Sequence, residues 1–203
     1  METDNTVEMK ILDAAGKVFY MKGKDGTSMQ DIAKEAGITR TSLNYYYRTK
    51  DKLFEAVFRH TLELFVPKIA ALMQSSANFP EYVDELVSTI IDSMIEYPQI
   101  PVFVLQELTS NPARVPQMMS ELGLNPVLTM ERFRKEGALS GLGMDPRQLV
   151  LSLISMCIFP FAGKPMLVTV MFGGDESAYI AAMEERKKLI PEMISSMIKN
   201  MKE

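Results

Sequence analysis

Apolar residues recur at helical spacing along the chain, and no stretch shows the strict alternation of a strand. Val7, Ile11, Ala14, Ala15, Val18 and Phe19 mark a first amphipathic helix, ended by the loop Gly23-Lys24-Asp25-Gly26. Ser28 followed by Asp31 has the spacing of a capping box, so a short helix starts there, and Gly37 can end it in a left-handed conformation. Thr39 offers a second cap. From Thr39 to Tyr47 the sequence TRTSLNYYY puts hydroxyl, amide and aromatic groups where an apolar stripe would run, so this segment is suited to touching something polar. A longer helix begins near Lys50, with Leu53, Phe54, Val57, Phe58, Leu62 and Phe65 along one side and Pro67 as a kink. Further helices are predicted near 80–97, 100–110, 114–138, 145–171 and 176–202, separated or bent at Pro98, Pro112, Pro126, Gly141-Leu142-Gly143 and Gly173-Gly174. The whole reads as all-α.

Two late segments differ in kind. Residues 149–161, LVLSLISMCIFPF, are apolar around nearly the full helical circumference, which implies burial on more than one side. The last helix instead carries a stripe of Tyr179, Met183, Ile190, Met193, Ile194, Met197 and Met201. Two such helices suit an isologous homodimer in which each protomer contributes a pair to a four-helix interface. Leu153, Met156, Ile190, Ile194 and Met197 are the candidate interface residues, and an intramolecular core is the competing reading.

Composition narrows the class. Hydrophobic residues are 47% and charged residues 24% of 203, an ordinary balance for a folded protein. No run of eighteen apolar residues exists and the opening METDNTVEMK lacks a basic then apolar leader, so a cytoplasmic protein with no membrane contact is expected. The single Cys157 lies in an apolar run and reads as a buried thiol. The net charge of −4 argues against nucleic acid until its distribution is considered. Residues 1–60 hold ten basic and nine acidic residues, which leaves twelve basic against seventeen acidic for the remainder. Within 34–52, five basic residues (Lys34, Arg40, Arg48, Lys50 and Lys52) face two acids, Glu35 and Asp51. This modest basic patch decides nothing alone, because a solvated face looks the same.

Spacing decides more. Helix, tight turn and helix over residues 28–46 fit a helix-turn-helix, whose second helix lies in a DNA major groove. Ala33 and Ala36 are small where the helices must approach, and Ile32, Ile38 and Leu43 can form a mini-core. The string TSMQDIAKEAGITRTSLNYYYRTKDKLF resembles the DNA-binding signature of the TetR family of repressors over about residues 10–58. Phe19, Gly23, Ile32, Ala33, Ala36, Gly37, Ile38, Thr39, Lys50 and Leu53 occupy the positions of that pattern. Departures are Thr41 where the family has Gly, Asn44 where it has Tyr, and Lys24 where it has an aromatic residue; the last is expected to loosen the small core.

The resemblance implies a helix-turn-helix DNA-binding domain over 1–50, a linker helix from about 50, and a helical ligand-binding and dimerisation domain over 51–203. It also implies phosphate contacts from Thr27, Ser28, Tyr46 and Lys50, and base reading by Thr39, Arg40, Thr41, Asn44 and Tyr45. Tyr47 matches a buried Phe of the family and is expected to pack. The implied partners are a palindromic double-stranded operator, a second copy of the chain, and an unidentified small-molecule effector that releases the DNA.

Beyond residue 60 the resemblance is one of architecture. Met94, Tyr97, Phe103, Gln106, Arg114, Met118 and Phe133 are the candidate effector-pocket residues; Arg114 suits either a ligand carboxylate or a surface ion pair. The FPFAGKP string, Phe159–Pro165, interrupts a buried helix and suits a pocket mouth or a dimer contact. Enzyme chemistry finds little material: His60 is the only histidine, far in sequence from Cys157, so no nucleophile-base pair, metal cluster or cofactor is expected. The alternative function is a TetR-like adaptor that acts mainly through protein contacts.

Overall fold

The computed structural model describes residues 4–75, 77–139 and 145–200; the expected Gly141-Leu142-Gly143 turn and Met201 lie outside them. Twelve helices run through the described residues, and they form two compact units, 1–64 and 65–203.

The first unit contains α1 (Asp4–Lys22), α2 (Met29–Glu35), α3 (Arg40–Tyr46) and α4 (Lys50–Glu63). Helix α1 packs on α2 and α4, and α2 packs on α3. Their facing residues Ile11, Ala15, Phe19, Ile32, Ala33, Leu43, Leu53, Phe58 and Leu62 are fully buried. Each large apolar side chain so buried contributes roughly 1.5–3 kcal/mol. The unit ends after α4, beyond the boundary at residue 50 expected from sequence, because Leu53, Phe54, Val57 and Phe58 of α4 complete this core. The ring of Phe54 meets Phe19 edge-on at 5.1 Å and stacks on Phe58 at 6.2 Å. Lys24 does not leave a gap as expected. Its ammonium lies 5.1 Å from the Phe54 ring centroid and 3.0 Å from the Asp51 carboxylate, so the lysine covers the ring that an aromatic residue would cover.

The second unit contains α5 (Val66–Met73), α6 (Phe79–Glu96), α7 (Ile100–Ser110), α8 (Arg114–Glu121), α9 (Pro126–Leu139), α10 (Pro146–Ala162), α11 (Lys164–Met171) and α12 (Glu176–Asn200). Pro67 stands in the first turn of α5, where its missing N–H costs nothing, so the expected kink is a helix break. Between α8 and α9, Gly123 takes φ +88° and parts the span 114–138 into two helices. Helix α6 is central and packs on α5, α10 and α12, burying Tyr82, Val87, Ile91 and Met94. Phe133 of α9 meets Phe79 edge-on at 5.2 Å, and the Arg132 guanidinium lies 3.9 Å from the Tyr82 ring centroid while donating to the Ala77 carbonyl at 2.6 Å.

Pro160 sits inside α10 and removes the N–H that would satisfy the Met156 carbonyl four residues back. Arg186 of α12 donates to that carbonyl at 2.8 Å, and the Tyr179 hydroxyl donates to the Pro160 carbonyl at 3.1 Å. Arg186 of α12 thus replaces the one donor the proline removes, and Tyr179 satisfies a carbonyl of the last helical turn. Helix α10 breaks at Gly163, ahead of Pro165, and α11 departs at 77°. No single helix among the described residues is long and apolar enough to cross a membrane.

Candidate nucleic-acid interface

The turn between α2 and α3 is fixed at both ends by the backbone. Ser28 caps α2: its Oγ accepts from the Asp31 N–H at 3.1 Å, and the Asp31 carboxylate accepts from the Ser28 N–H at 3.0 Å. The Ser28 hydroxyl donates to the same carboxylate, and Lys22 pairs with it at 3.0 Å. Those Ser28 bonds first, and Lys22 second, hold the Asp31 carboxyl down at about 2. At the other end, Gly37 takes φ +66°, the Ile38 N–H returns to the Ala33 carbonyl at 3.0 Å and the Gly37 N–H to the Lys34 carbonyl at 3.2 Å. This Schellman pairing needs the left-handed residue that glycine supplies without strain. Thr39 then caps α3, its Oγ1 accepting from the Ser42 N–H at 3.1 Å.

Buried Ala33 and Ala36 offer no bulk where α2 meets α3, and Leu43 points into the core. Arg40, Thr41, Asn44 and Tyr45 are all exposed, and their spacing confines them to an arc of about 140° on the opposite side of α3. Tyr45, 78% exposed, stands edge-on to half-buried Tyr46 at 5.3 Å. The structure thus brings the four outward base-reading candidates together on one face, with Thr39 at its start. Tyr47 is half-buried, and its hydroxyl donates to Glu8 of α1 at 2.8 Å. Burial, then Glu8, raises its pKa.

Two phosphate candidates are placed differently from expectation. Thr27 is 3% exposed and its hydroxyl donates inward to the Gly23 carbonyl at 2.7 Å, so its side chain closes the α1–α2 loop and is turned away from any phosphate. Lys50 is half-buried, and its ammonium donates to the Thr27 carbonyl at 3.0 Å, tying the start of α4 to the start of α2. Ser28 stays exposed, with its hydroxyl engaged by Asp31. Lys34, Arg48 and Lys52 are exposed cations flanking this surface. The local excess of basic residues over 34–52 was the signal for them.

Residues 11–57, the span of this motif, match the sequence profile of the bacterial regulatory proteins of the tetR family. Over that span the chain carries the DNA-binding motif of the tetR family. It is 24% identical over 178 residues, 86% of each chain, to the probable HTH-type transcriptional regulator YttP of Bacillus subtilis strain 168. Among solved structures it resembles a HlyIIR mutant whose residues 169–186 are replaced by a linker, with TM-score 0.63 and 26% identity, covering 88% of this chain and 98% of that one. It also shares its fold with AibR in complex with isovaleryl coenzyme A and operator DNA, with TM-score 0.63 and 21% identity over 76% of this chain and 85% of that one.

The second unit holds the effector candidates in mixed settings. Met94, Phe103, Met118 and Phe133 are buried, Tyr97 is half-buried at the end of α6, and Gln106 is exposed. Arg114 pairs through Nε with buried Glu107 at 3.2 Å, so in this state its charge is spent inside the protomer. Cys157 is buried, which pushes its thiol up to about 12. An open groove of about 860 Å³ runs between α10 and α12, lined by Ser152, Ser155, Met156, Leu189, Met193 and Met197 among others. Met156 and Met197 therefore lie where a partner can reach them. Leu153, Ile190 and Ile194 do not: they are buried within the protomer, and their place among the interface residues is corrected to the intramolecular core. On α12 the neighbouring positions Leu189 and Met193 are the exposed ones.

Proposed function

We propose that this chain is a homodimeric repressor of the tetR family that reads a two-fold-related operator with α3 and is released by a small-molecule effector bound within the second unit. The observation that carries the reading is the outward face of α3, where Arg40, Thr41, Asn44 and Tyr45 stand exposed on a helix whose start and preceding turn are both fixed. Its chemistry suits base edges: an Arg fork matches the guanine O6/N7 edge, an Asn amide an adenine, and the Thr41 methyl a thymine methyl. Exposed Lys34, Arg48 and Lys52 flank it with the charge that phosphates require. AibR, crystallised with operator DNA and an acyl-coenzyme A, supports both the DNA and the effector halves of the reading. An effector acts by preferring the conformation that does not fit the operator, with a coupling on the order of 1–3 kcal/mol.

Selection of bound duplexes from a random pool tests the proposal. Two copies of one short motif, related by a two-fold axis and centred ~34–36 Å apart, are expected, since that is the separation of successive major grooves on one side of the duplex. Recovery of a single unpaired motif would contradict the dimeric reading.

A further inference from the structure

Where α5 ends and α6 begins, the second unit buries two polar atoms that have no hydrogen-bond partner among the described residues, the Tyr82 hydroxyl and the Ser75 Oγ. Tyr82 is fully buried, and its ring centroid lies 6.4 Å from that of Phe79 and 6.1 Å from that of Phe133. A buried hydroxyl left unpaired opposes folding, so packing alone does not account for a tyrosine where a phenylalanine would fill the same space. Half-buried Arg132 of α9 spans the same corner, its guanidinium 3.9 Å from the Tyr82 ring centroid. Its Nη2 donates to the Ala77 carbonyl at 2.6 Å, but Nη1 reaches the Leu72 and Ser75 carbonyls only at 3.5 and 3.4 Å. The Leu72 carbonyl already accepts from the Ser75 N–H at 3.1 Å, so Nη1 is the loosely held donor. Carbonyl dipoles leave the guanidinium charge in place, and the acids beside these residues in sequence are engaged elsewhere. Glu131 pairs with Arg134 at 3.7 Å, and Glu81 caps α6 by accepting from the Asn78 N–H at 3.4 Å.

We infer that Arg132, Tyr82 and Ser75 form a binding site for the carboxylate of an otherwise apolar molecule, and that an acid of this class is the effector. The inference rests on the reading of the chain as an effector-released repressor and names the chemistry of its ligand. Nη1 and the two hydroxyls are all able to donate, so the ligand group has to accept. The guanidinium adds a positive charge, which favours an anionic acceptor over a neutral one. One cation balances the single charge of a carboxylate but not the nearly double charge of a phosphate monoester. Burial raises the Tyr82 pKa against a smaller opposing pull from Arg132, so the phenol is a neutral donor at pH 7. The rings of Phe79 and Phe133 offer apolar surface to the body of the acid. Helix α9 packs on α10 and α8 and reaches this corner through Arg132 and Phe133, so a ligand enters by parting those two side chains from α5 and α6.

Isothermal titration calorimetry of the full chain tests the site with straight-chain carboxylates from acetate to decanoate and with phenylacetate, each beside its methyl ester. At least one acid is expected to bind saturably, one molecule per protomer, about tenfold or more tighter than its ester, and to lower operator affinity. Tyr82→Phe should weaken that acid about tenfold or more without lowering the melting temperature, because it removes a hydroxyl that packing does not use. A purely structural hydroxyl would give the reverse, a lower melting temperature with unchanged affinity. Arg132→Gln should erase the preference for acid over ester; if it disturbs the end of α5, Tyr82→Phe remains the deciding variant. Equal affinity for acid and ester, unaltered acid binding by Tyr82→Phe, or no saturable binding of any acid at about millimolar concentration would each overturn the site. Acid binding that leaves operator affinity unchanged would overturn the effector role. A chain that binds its operator selectively but none of the acids loses this inference alone. One that binds an acid with these preferences but no operator keeps the site and loses the repressor reading.

Discussion

Ile194→Glu is expected to destabilise the second unit strongly rather than to produce a monomer of undiminished stability. Ile194 lies on α12 and is 1% exposed, enclosed within the protomer. A carboxylate there would be buried, and the isoleucine's own packing would be lost. Such a change belongs to the rare class that costs about 4–5 kcal/mol or more, a large part of the 5–15 kcal/mol typical of a domain. A fall in the melting temperature of roughly 10–20 °C follows for a unit of this size. Met193→Glu, one residue away and 48% exposed, should leave the melt unchanged and weaken association instead. Thermal unfolding and sedimentation of the pair check both statements. A stable, monomeric Ile194→Glu protein would mean that this side chain faces a partner, and the assignment of the core would be wrong.

Arg40→Ala should weaken operator binding by about 1–3 kcal/mol and relax the preference at one base position while leaving the others intact. Arg40 is the first residue of α3, exposed, and engaged in no ion pair among the described residues. Its removal touches no buried contact, so stability should be unaffected and the loss should appear in binding alone. Exposed Lys52→Ala offers the contrast: as a phosphate contact it should weaken binding evenly across sequences and lower the salt slope by about one charge. Competition binding against single-base operator variants separates the two. If Arg40→Ala altered neither affinity nor sequence preference, base reading would have to move elsewhere on α3.

The first unit was legible because its signals are local. Ser28 and Asp31 form the capping box their spacing predicts, Thr39 caps α3, and Gly37 adopts the left-handed conformation expected of it. The direction of the Thr27 hydroxyl is not legible in sequence, because a threonine before a helix looks the same whether its hydroxyl faces solvent or a loop carbonyl; only the tertiary position of Gly23 decides. Lys24 departed from the family pattern without loosening the core, since a lysine stem can lie across Phe54 while its charge reaches Asp51. In the second unit helical spacing identified the helices, and proline and glycine marked most of their breaks. It did not divide the α12 stripe. Tyr179, Met183, Ile190 and Ile194 point inward while Met193 points out, and a periodic apolar stripe wider than one seam cannot tell its core edge from its interface edge. Arg114 was open to two readings, and its bond to buried Glu107 depends on a turn between α7 and α8 that pattern alone does not specify.

The most direct measurement is binding of the purified full chain to DNA fragments from upstream of its own gene, against a scrambled duplex of equal length, at two salt concentrations. Tight, sequence-selective binding that falls steeply with salt is the result predicted from the polar face of α3 and its flanking cations. Equal and weak binding to every fragment, unresponsive to sequence, would contradict the repressor reading and favour an adaptor that acts through protein contacts.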